Sequence, residues 1–428
     1  MHHLSPEKIE IMAPAGSFES LAAALRSGAD AVYFGIGSLN MRAGAAANFQ
    51  KSDLKHIMRE IHFCKAKGYL ALNTIVYNNE LDELNAILDT AIDAKVDAVI
   101  AEDFAVITAA VNRGLSVHLS VQANISNIEA VRFYARFADV MVLARELPLS
   151  EIAQIHRTII EENITGPAGK PIRLEIFAHG ALCMAVSGHC HLSAHLDGPG
   201  FSANRGSCLQ RCRRRYRVID QRDGAELEVQ NGFIFSPKDL CMIRHIGALL
   251  DAGATVLKIE GRGRSADYVA HVTGAYVEAL QLWQSGQWND HEGKRLEKSL
   301  AEVFNRTFWY GGYYLGDELE KWNDSTGSSA QLHKIALGKV INWYSRSQIA
   351  EVRLDAGDLS VGDRLLATGP ITGAFEWRLE SMRSEDGQPR TLGKKGEIVT
   401  FFVPGKIRRS DKLYRLEQRA FGMLPVRD

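Results

Sequence analysis

No stretch of this 428-residue chain stays apolar for the roughly 18 residues that a membrane-spanning helix needs. The opening Met1-His2-His3-Leu4-Ser5-Pro6 also lacks an apolar run of signal-peptide length, so the expectation is a cytoplasmic protein with no membrane partner. A dominant charge is missing too. Lys and Arg total 50 against 51 Asp and Glu, a formal net charge of −1, so the chain is not a basic coat for nucleic acid. Any RNA contact must come from a local patch. Cysteine is scarce, 6 residues in all, which excludes a disulfide framework in a chain this long. In a reducing compartment, clustered cysteines point instead to metal or redox work. There is no His-Glu-x-x-His helix and no Gly-x-Ser-x-Gly elbow, which removes the common metalloprotease and serine-hydrolase signatures. Internal repeats and low-complexity segments are absent as well.

What is present is ordinary globular composition, 46% hydrophobic and 24% charged, in a length that suits two domains. Strand-like apolar runs at 9–13, 31–35, 69–76, 98–101, 117–121, 140–143, 174–177 and 255–259 alternate with helical patterns such as 19–27, 53–67 and 81–95. That alternation predicts an α/β fold, a (β/α)8 TIM-like barrel with a Cys-rich insert after strand seven. A doubly wound sheet is the alternative; the count of eight favours the barrel. The barrel is read over 1–285 with its insert at 180–241, and 286–330 as a helical connector rich in aromatics. Residues 331–428 then carry short strands near 335–341, 348–354, 363–367 and 397–403, between turns such as Ala356-Gly357-Asp358. This is a small C-terminal all-β barrel domain.

Several predicted strands end in polar groups that do not belong in a core. Asn73 lies in the third, Glu102 and Asp103 follow the fourth, and Gln122 and Asn124 the fifth. Arg145 and Glu146 follow the sixth, His179 ends the seventh, and Glu260, Gly261 and Arg262 end the eighth. In a parallel barrel these ends converge on one face, where such folds place their chemistry. Helix capping explains Asp103 or Asn124 equally well taken alone; the whole set reads as a ligand-binding mouth.

Five of the cysteines fall at 183, 190, 208, 212 and 241, directly after the seventh strand. Thiolates gathered there could hold an iron–sulfur cluster or a zinc ion. The spacing matches neither a zinc ribbon nor a compact ferredoxin run, and His189 and His191 keep a mixed zinc site open. Cys64, within a predicted helix, reads as core.

The run Glu175-Ile176-Phe177-Ala178-His179-Gly180-Ala181-Leu182-Cys183, then Ser187-Gly188-x-Cys190-x-Leu192-Ser193, resembles the signature of peptidase family U32. Asn204-Arg205-Gly206-x-Cys208-x-x-x-Cys212-Arg213 and Pro237-Lys238-Asp239-Leu240-Cys241 extend the likeness, as do Ala13-Pro14-Ala15-Gly16-Ser17 and 29–35 near the start. The resemblance implies oxygen-independent hydroxylation rather than proteolysis. It implies a [4Fe-4S] cluster on Cys183, Cys190, Cys208 and Cys241, with Cys212 able to replace Cys208. It also implies a prephenate-type co-substrate and a choice of substrates: the tRNA wobble uridine, ribosomal RNA, or a quinone precursor.

Two features favour RNA. Arg205, Arg211, Arg213, Arg214, Arg215 and Arg217 form a basic run around Tyr216, a stacking partner for a base. The β domain carries Lys394, Lys395, Lys406, Arg408 and Arg409. The expected enzyme is therefore a tRNA-modifying hydroxylase. Arg145, Arg205 and Arg262 are the candidates for the donor's carboxylates, Glu260 is grouped with Arg145 in holding the cofactor, and Glu175 and His179 are the candidates for proton transfer. A collagenase-like metallopeptidase and a non-catalytic cluster scaffold are the competing expectations.

Overall fold

The computed structural model describes residues 8–44, 48–226, 232–316, 322–323 and 327–419; the opening residues read above for a targeting signal lie outside them. The apolar runs form β1 (Glu10–Ala15), β2 (Ala31–Phe34), β3 (Lys67–Leu72), β4 (Ala98–Ala101), β5 (Val117–Leu119), β6 (Val140–Val142) and β7 (Arg173–Ala181). The helical patterns between them form α1 (Phe18–Arg26), α2 (Leu54–Phe63), α3 (Leu81–Asp93), α4 (Phe104–Val111), α5 (Ile128–Tyr134) and α6 (Leu149–Glu161). The Cys-rich stretch contributes α7 (Leu192–Asp197) and β8 (Asp239–Cys241), followed by α8 (Ile246–Asp251) and β9 (Ala254–Ile259). Beyond it come α9 (Ala266–Gln284), α10 (Asp290–Leu300) and β10 (Phe308–Tyr310).

β1 to β7 pair in sequence, β7 pairs with β9, and β9 returns to β1, all in parallel. Eight parallel strands thus close into a TIM-like barrel, with β9 as the eighth. Inside it, Met12, Tyr33, Tyr69, Ile100, Val140 and Val256 pack as a separate apolar plug, while a larger core lies between strands and helices. Two short strands were not legible beforehand. β8 runs antiparallel to the end of β7, and β10 adds parallel to β8, so the Cys-rich stretch is stitched to the barrel rim. Among the described residues of 286–330, helix is confined to α10 apart from one tight turn at Gly312–Leu315.

The C-terminal region is all antiparallel: β11 (Leu332–Tyr344), β12 (Ile349–Leu354), β13 (Leu359–Ser360), β14 (Arg364–Gly369), β15 (Gly373–Arg378), β16 (Met382–Ser384), β17 (Pro389–Arg390), β18 (Leu392–Gly393), β19 (Ile398–Phe402) and β20 (Lys412–Gln418). The sheet order is β15-β14-β20-β11-β12-β19-β16-β17, with β13 and β18 paired separately. Register shifts in β11 against both neighbours let the long strand coil around a core of Leu337, Val352, Leu365, Trp377 and Phe401. This unit docks on α1 and α9 through its β14–β15 turn. Gly373, at φ +72°, brings backbone so close that an added Cβ would lie 2.6 Å from the Ala23 amide nitrogen. Arg26 Nε donates to the Ile371 carbonyl at 3.2 Å beside it.

Candidate functional site

The C-terminal ends of the barrel strands surround a cavity of about 320 Å³, roofed by the Cys-rich segment. Its wall is strongly cationic: Arg42, Arg145, Arg213, Arg262, Arg264, Arg306 and Lys258 line it, against the carboxylates Glu146 and Glu260. Glu260 does little to balance them, being already engaged. Arg42 Nη2 and Nε donate to its Oε1 at 2.6 and 3.3 Å, and the Tyr33 hydroxyl donates to Oε2 at 3.1 Å. Burial works to raise the Glu260 carboxyl, but Arg42, Arg145 and Arg262 outweigh it and hold it down at about 2. It is a fixed anion, not a proton carrier at neutral pH.

Arg262 is 5% exposed, and its Nη1 donates to Asn40 Oδ1 at 3.0 Å. Gly35 makes that contact possible, because a Cβ there would lie 2.6 Å from Asn40 Cγ and 2.7 Å from Arg262 Nη1. Burial lowers the Arg262 pKa without discharging the group in any ordinary range. Arg145 lies over the Phe177 ring, its Cζ 3.9 Å from the centroid, and donates through Nη1 to the Ala181 carbonyl at 3.2 Å. The Nε atoms of both Arg145 and Arg262 are buried with no hydrogen-bond partner among the described residues. Unpaired donors of buried guanidinium groups at a cavity wall are what an anionic ligand would satisfy.

The Cys-rich roof brings four thiols under mutual influence. Burial pushes the Cys212 thiol up to about 11, with Cys183, Cys208 and Cys190 adding to the rise and Arg213 opposing it. Cys190 is raised by burial and by Cys183 and Cys208. Backbone amides already point at two of the sulfurs: Leu192 N donates to Cys190 Sγ at 3.4 Å and Gln210 N to Cys208 Sγ at 3.3 Å. The Leu192 amide partly offsets the effect of burial at Cys190, and Arg42 and Arg213 lie near Cys183. Among the described residues no three His, Cys, Asp or Glu groups stand close enough to share one ion. A four-iron cube takes its thiolates at wider spacing than a single zinc does, and Cys183, Cys190, Cys208 and Cys212 suit it on donor type.

Cys241 is set apart from them. It is fully buried on β8, where burial and then Glu297 push it to about 12 while the Tyr276 hydroxyl partly offsets them. Of the expected set Cys183, Cys190, Cys208 and Cys241, Cys183 and Cys208 line the cavity together with Cys212, whereas Cys241 does not.

Further expectations need correction, beginning with Cys64, which was read as core but is exposed just after α2. His179 follows a register shift between Phe177 and His179 against β9, which turns its ring out of the barrel. It packs against Tyr268, Tyr276 and Phe308 at 5.5–6.1 Å, and burial, then Arg264, pushes it down to about 3. It is a neutral core imidazole away from the cavity. Arg205 also points elsewhere, pairing with Glu80 and the Ile75 carbonyl and covering the Tyr77 ring at 4.4 Å. It clamps the Cys-rich segment to the loop before α3.

Glu175 sits one layer below the cavity, fully buried between Lys258 Nζ at 2.6 Å and His118 Nδ1 at 3.5 Å. Burial would raise its carboxyl, but Lys258 and His118 outweigh it, so it is an anion and no proton donor. Asn73 and Gln122 line the wall and bond each other, Asn73 Nδ2 donating to Gln122 Oε1 at 2.7 Å. Asp103 caps α4 through Ala105 N at 2.8 Å, as the bland expectation had it. Glu102 is pushed by burial to about 7, with His189 Nε2 at 3.9 Å opposing the shift. The basic run is divided. Arg213 reaches the cavity, Arg211 pairs with Asp197, Arg217 with Glu226, and Tyr216 is spent on Phe235 and the Arg211 carbonyl.

Arg42, Lys258, Arg264, Arg306 and His118 were not anticipated. Lys258 had one visible signal, a lone charge inside the apolar strand Thr255-Val256-Leu257-Lys258-Ile259. Arg42 and Arg306 lie in loops with no periodicity to place them.

Residues 16–324 match the model of peptidase family U32. A collagenase of Porphyromonas gingivalis is 48% identical over 410 residues, covering 96% of this chain and 98% of that one. A tRNA hydroxylation protein P1 of Bacillus subtilis is 30% identical over 428 residues, covering 95% and 94%. A 23S rRNA 5-hydroxycytidine synthase of Escherichia coli is 32% identical over 311 residues, 72% of this chain and 45% of that one.

Proposed function

The chain belongs to peptidase family U32, and on that premise we propose that it is an oxygen-independent RNA hydroxylase forming 5-hydroxyuridine at the tRNA wobble position. The observation that carries the reading is the cationic cavity beneath the thiol-bearing roof, with unpaired guanidinium nitrogens on Arg145 and Arg262. Relatives named for tRNA and rRNA hydroxylation support the RNA class.

In this reading Cys183, Cys190, Cys208 and Cys212 hold a [4Fe-4S] cluster, which supplies electron transfer or Lewis acidity at the cavity edge. The chain's own residues do the rest. Arg145 and Arg262 bind the carboxylates of a prephenate-type donor, since a guanidinium fork matches that geometry. Arg42 and Glu260 lock each other and keep Arg262 aimed inward. The roof and the walls of Phe177 and Leu182 keep bulk water from the reacting centre. Exposed Arg214, together with Lys394, Lys395, Lys406 and Arg409 on the β domain, attracts the RNA backbone.

A peptide-cleaving activity is the second reading, favoured by the 48% identity to a protein named collagenase. The described residues lining the cavity include no histidine to serve as a base. The two readings separate in one assay. Protein purified and reconstituted with iron and sulfide without air is given prephenate and unmodified tRNA, and in parallel gelatin. The proposal expects the mass gain of one oxygen atom on a single tRNA uridine and intact gelatin. Cleaved gelatin with unchanged tRNA would overturn it.

A further inference from the structure

Lys258 is a charged residue in a place where an unpaired charge is not tolerated. Its strand is otherwise apolar, its side chain is 6% exposed, and it stands inside the barrel at the floor of the cavity. Glu175 Oε1, at 2.6 Å, is its hydrogen-bond acceptor among the described residues. The Tyr33 and Phe177 rings flank the ammonium at 4.7 and 5.4 Å. An ammonium has three donor hydrogens. One meets Glu175, the Tyr33 and Phe177 rings lie beside it, and Lys258 lines the cavity.

The support beneath it is built with slack. Glu175 Oε2 and His118 Nδ1 stand 3.5 Å apart, and both are buried without a hydrogen bond among the described residues. A purely structural ion pair gains most when every lone pair and proton is matched. Here the carboxylate is held between two cationic-capable groups, with one of its oxygens free of a hydrogen bond among the described residues. Above, Arg262, nine-tenths buried and with an unpartnered Nε among the described residues, lines the same cavity.

We propose that Lys258 contacts the small anion bound in the cavity, from the floor between Arg145, with which it shares the Phe177 ring, and Arg262, with which it shares the Tyr33 ring, and that Glu175, backed by His118, is its positioning residue. The inference rests on the reading of the cavity as the seat of a dicarboxylate. It adds which residue sets that ligand's depth.

The test is calorimetric titration of the full-length, cluster-loaded protein with prephenate as the probe. Loss of a charge-assisted contact predicts that Lys258→Met weakens binding by about tenfold or more, with tRNA affinity unmoved. Lys258→Arg should recover part of the loss. Glu175→Gln should weaken binding, and the double variant Lys258→Met/Glu175→Gln should bind no worse than Lys258→Met alone, because Glu175 acts through Lys258. The double variant also removes both charges together, so it folds even where a single change leaves one charge buried and unpaired. Unchanged affinity in Lys258→Met, with wild type binding, overturns this inference alone. Additive losses in the double variant overturn the role of Glu175. No binding to wild type removes the cavity reading and this inference with it.

Discussion

Arg42 and Glu260, 218 positions apart in sequence, meet at 2.6 Å on the cavity wall and fix the geometry around Arg262. The side chains are 29% and 13% exposed, so the pair is largely withdrawn from water. It joins the loop after β2 to the end of β9, the strand that closes the barrel.

Breaking that pair from one side leaves a buried charge. Arg42→Met is expected to destabilise the fold by about 3 kcal/mol, read from urea denaturation. A change of a few tenths would mean the pair is solvated in solution.

The same pair makes a signed prediction with pH. Glu260 is held at about 2 against an ordinary 4.5, so its contribution to stability is complete above about 4.5 and is lost as pH falls toward 2. The stability gap between wild type and Glu260→Gln should therefore shrink over that window. A gap that is constant from pH 6 to pH 3, estimated around those two values, would contradict the assignment.

His179 behaves in the opposite chemical sense. Neutral and buried at about 3 against 6.5, it opposes protonation in the folded state, so its presence makes the protein lose stability as pH falls below about 6.5. His179→Phe should relieve part of that acid sensitivity and leave the pH profile of hydroxylation unmoved. A shifted activity profile would return His179 to the reaction.

The two outlying cysteines separate by metal content. After anaerobic reconstitution, Cys212→Ala is expected to lose bound iron and the cluster's visible absorption, whereas Cys241→Ala keeps both and melts at lower temperature. The reverse result would restore Cys241 as a ligand.

Much of the fold was legible because the barrel repeats one grammar, an apolar strand followed by an amphipathic helix, and that grammar survives without knowledge of tertiary contacts. β8 and β10 escaped because three-residue strands such as Asp239–Cys241 have no period to read. At the site, Arg145, Glu260 and Arg262 could be placed at the mouth from strand ends alone, and they line the cavity. His179 could not, since one register shift reversed its face. Arg205 could not, since its partner Glu80 is 125 positions away. Cysteine spacing says nothing of how the intervening loop folds, so it could not show that Cys212 lines the cavity and Cys241 does not.

The most direct test of the central claim is mass spectrometry of tRNA nucleosides from a strain lacking this gene, complemented with wild type or with Cys183→Ala. The account predicts that 5-hydroxyuridine derivatives vanish in the deletion strain and return only with the wild-type gene. An unchanged nucleoside profile in the deletion strain would contradict the assignment to tRNA.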